Sequence, residues 1–307
     1  MNPSPRVSII MPAYNSAKYI GPAIRSVIDQ TFTDWELLLF NDGSTDETDE
    51  VVEPFLNDSR IQYIRQENLG QPKTRNKGVR MSRGNLIALL DADDLWMPAK
   101  LEKQVAIFEK YPDVGVCGTA MELIRPTGEV FAVSDRKEFY GHAAVGLVTG
   151  ALAVAMSASV TRREVFEKIG FFDERFLPFS MDYDFWLRAS LEYMFYNLGE
   201  KLVRYRTGHP SISQEGGDKR RSLVMNVVIP RFLREYGGSK YVKWCHVWKL
   251  HSDCYLDRAS GQKRLSHKLY WLFRSLLSCP WKPASWWAVG SRLVPQKLRS
   301  LLKEMLR

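Results

Sequence analysis

Short apolar runs alternate with stretches of helical period through the first third of the chain. VSIIM (7–11), WELLLF (35–40), IQYI (61–64) and NLIALL (85–90) have the length and β-rich composition of buried strands. Between the first two, Ile20, Ala23, Ile24, Val27 and Ile28 recur at helical spacing. After the second, Ser44 and Glu47 have the spacing of a capping box, which predicts a helix through Val51, Val52 and Phe55. The third connection, 71–83, reads as a basic helix closed by Gly84. Strands alternating with helices predict an α/β fold with a largely parallel, doubly wound sheet. Ligands bind such sheets beyond the carboxyl ends of the strands.

Further along, Pro98 suits the first turn of a helix over about 98–111. VGVCGTAMELI (114–124) and EVFAV (129–133) predict a hairpin around Pro126-Thr127-Gly128. Residues 134–160, rich in Gly, Ala and Ser, carry no clear period. TRREVFEKIG predicts a short helix capped by Gly170, a second helix is expected near 182–194, and KLVRYR (201–206) reads as a late strand.

Polar groups gather where the early strands end. The first run closes in Pro12-Ala13-Tyr14-Asn15, the second in Asn41-Asp42-Gly43-Ser44, the fourth in Asp91-Ala92-Asp93-Asp94. Any one of these is an ordinary turn composition. Three delivered to one sheet edge point to a site. In LLDADDLW two carboxylates at ~4 Å repel by about 1 kcal/mol in water and about 4 kcal/mol at an effective dielectric of ~20. A crevice tolerates such a cluster when a cation or proton offsets the charge.

The net charge of +8 conceals a division: residues 219–307 hold 19 Lys and Arg against 4 Asp and Glu, whereas 1–218 hold 24 against 31. Six of the nine tryptophans also follow residue 218. Two domains are therefore expected, 1–218 (with halves 1–98 and 99–218) and a basic, Trp-rich helical extension, 219–307. Four cysteines without a CxxC pair give no zinc-finger spacing and suit a reducing cytoplasm. The opening MNPSPRVSIIMPAYN lacks the pattern of a signal peptide, and no run approaches the ~18 apolar residues of a spanning helix.

VSIIMPAYN, FNDGSTDET, ENLGQPKTRNKG, LLDADDLW, GFFDERF, MDYDFWLR and VRYRTGHPSIS, in that order, resemble the signature segments of family 2 inverting glycosyltransferases over roughly residues 5–214. The resemblance implies a GT-A fold, a Rossmann-like, mostly parallel sheet flanked by helices. It also implies a nucleotide-sugar donor, UDP favoured, and an inverting transfer of hexosyl type. Asp91 is then expected toward the donor ribose and Asp93 on a divalent metal, Mn2+ or Mg2+, that stabilises the departing diphosphate. Asp42 matches the position that hydrogen-bonds the uracil ring; Pro12 and Tyr14 would line the base pocket, and Arg75, with Asn76, the helix bordering the nucleotide. His209 matches a histidine that coordinates the metal, with Gly208 standing as an insertion before it.

Asp182, in DYDFWLR, matches the base that deprotonates the acceptor hydroxyl, an effect typically worth ~10²–10⁴ in rate. Met181 stands where the family usually has a first acid, and Lys73 and Thr74 replace small residues in the nucleotide helix. From the residues alone, Asp182 could serve as an N-cap, Tyr14 as a core aromatic, and Arg75 and His209 as solvated polar groups. The implied acceptor is a glycan or a polyprenyl-diphosphate-linked saccharide.

In the tail, Leu298, Leu301, Leu302, Met305 and Leu306 share a helical face, with Lys297, Arg299, Lys303 and Arg307 elsewhere. That pattern suits peripheral contact with the cytoplasmic face of an anionic membrane, or equally a helical subdomain packing its tryptophans on the core. Nothing in the chain suggests nucleic-acid binding. A nucleotidyltransferase would need a glycine-rich, basic loop after the first strand, and PAYNSAKYI has none. A donor-binding or scaffold protein without turnover is the rival of another class, kept open by Met181.

Overall fold

The computed structural model describes residues 4–134, 136–176, 180–209, 223–243 and 245–247. The chain divides into two compact units, Met1–Ala143 with Leu152–Val224, and Ala144–Ala151 with Met225–Arg307. The boundary expected near 218 falls among residues outside the described ones, and so does the amphipathic face at 298–306.

Among the described residues the first unit carries ten strands: β1 (Val7–Ala13), β2 (Trp35–Asp42), β3 (Ile61–Gln66), β4 (Leu86–Leu89), β5 (Leu95–Trp96), β6 (Val114–Ile124), β7 (Val130–Val133), β8 (Phe139–Gly141), β9 (Val160–Arg162) and β10 (Met194–Arg206). They form one sheet in the order β3-β2-β1-β4-β9-β6-β10-β5, with β7 on β6 and β8 on β10. The predicted early strands pair in parallel, β3 to β2 to β1 to β4, as the alternation with helices requires. β10 also runs parallel to β6, whereas β9, β5, β7 and β8 pair antiparallel. The result is the α/β architecture that the sequence implied.

Its helices are α1 (Ala17–Ile28), α2 (Thr48–Val52), α3 (Gln71–Met81), α4 (Lys100–Lys110), α6 (Arg163–Ile169) and α7 (Met181–Ala189); α5 (Ala144–Thr149) belongs to the second unit, as does α8 (Ile229–Arg234). Every residue of β1 and β2 is buried, which is why both read as continuous apolar runs rather than alternating ones. α1 buries Ile20, Ala23, Ile24 and Val27, the stripe its period predicted. The β6–β7 hairpin turns through Gly128 at φ +90°, and α6 ends at Gly170 with φ +82°. In the second unit, Phe232 of α8 is buried, and a Cβ on Gly238 would stand 2.4 Å from its ring.

Three local expectations are corrected. No capping box forms: α2 starts at Thr48, and the Ser44 hydroxyl instead accepts the Asn15 N–H at 3.0 Å. Asp46 takes over the local capping, accepting from the Thr48 N–H at 3.2 Å and the Ala17 N–H at 3.0 Å. Pro98 lies two residues before α4, and its carbonyl accepts the Thr31 N–H at 3.0 Å. The helix expected near 182–194 stops at Ala189, because Met194 already begins β10 beside Val114.

Gly84 sits where the chain re-enters the sheet as β4. A Cβ there would lie 2.6 Å from the Ser8 backbone nitrogen, and the Gly84 N–H donates to the Ser8 hydroxyl at 2.7 Å. Ser8 in turn donates to buried Glu36 at 2.6 Å, which also accepts the Arg83 N–H at 2.7 Å. The Gly84→Ala variant is expected to lose about 1–3 kcal/mol from overpacking against backbone that cannot rotate away; chemical denaturation measures it. Among the described residues no helix is long and apolar enough to cross a membrane.

Candidate active site

The carboxyl ends of β1, β2, β4 and β10 open onto one cleft of about 880 Å³. From β1 come Pro12 and Tyr14, the latter 53% exposed and so a wall of the cleft rather than a core aromatic. Asn15 holds a left-handed φ of 48°, and its side-chain oxygen accepts the Thr45 N–H at 2.8 Å. That bond and the Ser44 contact join the turn after β1 to the turn after β2.

Asp42, at the end of β2, lines the cleft yet is itself only 3% exposed. Its Oδ1 accepts from Gln66 Nε2 at 2.7 Å, the Leu69 N–H at 2.9 Å and the Thr74 hydroxyl at 3.0 Å. Its Oδ2 accepts the Gly70 N–H at 3.0 Å. The carboxylate therefore organises the loop leading into α3, and Thr74, a departure from the small residue usual there, donates to it.

α3 presents Arg75 and Asn76 differently from the sequence expectation. Arg75 is buried and absent from the cleft lining. Its guanidinium donates to Gln71 Oε1 at 2.8 Å and to Asp91 Oδ1, so it acts on the cleft through Asp91. Asn76 faces away altogether, donating to the Phe172 carbonyl at 2.9 Å and accepting the Phe172 N–H at 3.0 Å.

The acidic turn after β4 splits its three carboxylates. Asp91 and Asp93 line the cleft; Asp94 is fully buried. The Asp91 N–H is held by the Ser157 hydroxyl at 3.1 Å. Asp94 Oδ1 accepts the Arg206 N–H at 2.8 Å, while its Oδ2 is buried with no hydrogen-bond partner. One ligand oxygen from each residue falls within 4.8 Å of the others. Burial raises the Asp93 carboxyl above its ordinary range, the Asp91 charge adds to the rise, and His209 opposes it. Asp94 is pushed well up, first by burial and then by the charges of Asp93 and Asp91.

His209 reaches the cluster from the segment after β10, its Nε2 2.8 Å from Asp93 Oδ2. Gly208, the inserted residue, takes φ +82°, a backbone region that suits glycine. Sequence reasoning assigned no role to Arg206 and Tyr19. Arg206 donates to the Asp93 carbonyl at 2.8 Å and the Pro126 carbonyl at 3.1 Å, with its guanidinium 4.6 Å from the Tyr19 ring centroid. Tyr19 meets the His209 ring edge-on at 5.2 Å. Arg206 stands within the quoted VRYR segment, but nothing in that segment distinguishes a strand-terminal arginine from a solvated one.

A hard or borderline divalent cation fits these groups: two cleft-facing carboxylates, a histidine nitrogen and a buried carboxylate oxygen short of a partner. Asp182 is not among the residues lining the cleft. It stands in the first turn of α7 behind the N-cap residue Ser180, with Oδ1 2.8 Å from the Tyr183 N–H. It is thus not the N-cap itself. Met181 is buried, and Asp184 is tied to Arg188 at 2.8 Å inside the unit.

Residues 8–170 match the model of Glycosyl transferase family 2. An uncharacterized glycosyltransferase of Methanocaldococcus jannaschii is 30% identical over 207 residues, 66% of this chain and 71% of the relative. TuaG of Bacillus subtilis, a glycosyltransferase named for teichuronic acid biosynthesis, is 40% identical over 106 residues, 34% of this chain and 42% of the relative. Among solved structures, S. aureus TarS 1-349 in complex with UDP-GlcNAc superposes with a TM-score of 0.67 at 19% identity, covering 97% of this chain and 86% of that one. The mannosyltransferase PcManGT of Pyrobaculum calidifontis, in complex with GDP-Man and Mn2+, superposes with a TM-score of 0.55 at 17% identity, covering 99% of this chain and 80% of that one. With the matched segment covering more than half of the chain and the ends of β1, β2 and β4 that line the cleft, the chain belongs to the family 2 glycosyltransferases and has their GT-A fold.

Proposed function

We propose that the cleft binds a UDP-sugar with a divalent metal and that the enzyme transfers the sugar, with inversion, to a hydroxyl of a glycan or lipid-linked saccharide. The observation that carries this reading is the meeting of Asp42, Asp91, Asp93 and His209 on one cleft from three separate strand ends. TarS bound to UDP-GlcNAc and PcManGT bound to GDP-Man and Mn2+ support the donor class. TuaG's name supports a surface-polysaccharide setting. Peripheral membrane contact through 219–307 belongs to the same reading.

Pro12 and Tyr14 would flank the base, and Asp42 Oδ2, which among the described residues accepts the Gly70 N–H, is the oxygen left to receive a base N–H. Asp91, oriented by Arg75, would take the ribose. Asp93 and His209 would hold the metal, Mn2+ or Mg2+, which supplies positive charge against the departing diphosphate. Asp182 would receive the acceptor proton as the hydroxyl oxygen bonds to the anomeric carbon and the bond to the diphosphate oxygen breaks. One displacement of this kind inverts configuration. The rival, donor binding without turnover, draws on Asp182 standing off the cleft lining; release of UDP with a competent acceptor present would exclude it.

Calorimetric titration with UDP, GDP and ADP, with and without Mn2+ or Mg2+, tests the donor site. Metal-dependent binding of UDP in the wild type is expected, with at least a tenfold loss in Asp93→Ala, on the order of one charge-assisted contact. Equal binding by the variant would remove Asp93 from the metal site.

A further inference from the structure

Asp93 and His209, the two residues that would hold the cation, are also each other's partners. His209 Nε2 stands 2.8 Å from Asp93 Oδ2. A hydrogen bond of that kind needs a proton between the two atoms, and atoms that both bind one cation cannot also share it. Filling the site with a cation therefore gives up the bond that aims the imidazole at the acidic turn. By then the chain has left the sheet. β10 ends at Arg206, the Thr207 N–H donates to the Ile124 carbonyl at 2.9 Å, and Gly208 takes φ +82°.

Tyr19 meets the same imidazole from another element. It lies in the first turn of α1 and lines the cleft. Its ring centroid is 5.2 Å from that of His209, with 61° between the planes. The Arg206 guanidinium lies over the Tyr19 ring, 4.6 Å from its centroid, and donates to the Asp93 carbonyl at 2.8 Å. These are ring contacts that need no proton on the Asp93 carboxylate, so they outlast the His209–Asp93 bond. The ring is also carried on a pinned helix start. The Tyr19 N–H donates to the Ser16 carbonyl, the Ser16 N–H to the Thr48 hydroxyl and the Ala17 N–H to Asp46 Oδ2, each at 3.0 Å. Ile20, the next residue, is fully buried. A support fixed in this way keeps its place when the ligand it touches changes partner.

We propose that Tyr19 is a positioning residue of the cation site: its ring, held by Arg206, keeps the His209 imidazole in place once the bond to Asp93 is given up. The inference rests on reading Asp93 and His209 as the metal ligands. The ring carries the role and the hydroxyl does not. Phenylalanine would therefore serve at this position, and leucine, which has no π-face for either neighbour, would not.

The test compares wild type, Tyr19→Phe, Tyr19→Leu, His209→Ala and the Tyr19→Leu/His209→Ala double variant. Calorimetry and the free-ion EPR signal read Mn2+ affinity with UDP present. Tyr19→Leu is expected to weaken Mn2+ binding about tenfold, and Tyr19→Phe by less than about twofold. In the His209→Ala background the leucine substitution should cost less than about twofold, because the group it acts through is gone. A second readout uses the wild type alone: the nuclear Overhauser contact between the Tyr19 and His209 rings is expected to persist when UDP and diamagnetic Mg2+ are added.

Wild-type Mn2+ affinity in Tyr19→Leu overturns the proposal. An equal loss in Tyr19→Phe does too, since it moves the role to the hydroxyl, and a full second loss in the double variant shows an effect that does not pass through His209. Should Tyr19→Leu not fold, a ring contact that disappears on loading overturns the proposal by itself. Unchanged Mn2+ affinity in His209→Ala removes His209 from the site and this inference with it. UDP that binds with Mg2+ in any of these cases leaves the donor reading standing. UDP that fails to bind the wild type rejects the donor reading, and the same Mn2+ titrations without nucleotide still decide the role of Tyr19.

Discussion

Asp182→Asn is expected to lower the turnover number by ~10²–10⁴ while leaving metal-dependent UDP affinity unchanged. The carboxamide has the size of the carboxylate and keeps an oxygen for the Tyr183 N–H, now 2.8 Å from Oδ1. It cannot accept a proton from the acceptor hydroxyl. A loss confined to turnover thus separates proton transfer from donor binding, which depends on the opposite set of residues. Measured kcat together with the calorimetric Kd for UDP decides it. A variant that turns over at the wild-type rate places the base elsewhere. Asp184 is a poor substitute, because its carboxylate is buried against Arg188.

The second large effect is on stability. Lys100, the first residue of α4, is 0% exposed; its ammonium donates to Gln104 Oε1 at 2.7 Å and lies 3.8 Å from the Trp96 ring centroid. Burial pulls its pKa from 10.5 down to about 7, opposed weakly by Cys117. At one pKa unit per ~1.4 kcal/mol, the buried charge costs at most about 5 kcal/mol below neutral pH. The sign follows from proton counting. Below about pH 7 both folded and unfolded forms hold the proton, and the penalty is complete. From about pH 7 to 10.5 the unfolded form alone holds it, so stability rises with pH across that window.

Lys100→Met conserves volume and removes the charge, but it leaves Gln104 Oε1 without its donor, a loss of roughly 1–3 kcal/mol. The variant is therefore expected to melt several degrees above the wild type at pH 6. Its advantage should shrink as pH rises toward 10 and then reverse. Thermal melts at a series of pH values test both the sign and the crossing. A constant difference between the two proteins would mean that folding leaves the Lys100 pKa unshifted and the ammonium stays protonated in the fold.

The geometry around Lys100 also shows why some of the site was invisible in sequence. Trp96 donates its indole N–H to the Ser157 carbonyl at 2.7 Å, and the Ser157 hydroxyl holds the Asp91 N–H. Ser157 comes from the Gly-, Ala- and Ser-rich stretch that carried no period, so no pattern linked it to LLDADDLW. Asn76 shows the converse. Its place beside Arg75 in a recognisable segment suggested the nucleotide, whereas helical rotation turns it toward Phe172.

What the sequence by itself determined is the set of elements and the chemistry at their ends. Buried strands need long apolar runs and the turns after them need Asp, Asn and Gly, so β1, β2, β4 and their acidic or amide termini were legible from local composition. The order of motifs was enough to reach the family and to bring His209 to Asp93. Only the tertiary structure decided which oxygen of each carboxylate remains open. Asp42 is engaged by a loop more than twenty residues away, Asp94 is buried under Arg206, and Asp182 stands off the cleft. Burial and hydrogen-bond saturation depend on partners far apart in the chain, and no local pattern of residues records them. Arg136 is a further case, since only the fold shows that its Nη1 is buried without a hydrogen-bond partner among the described residues.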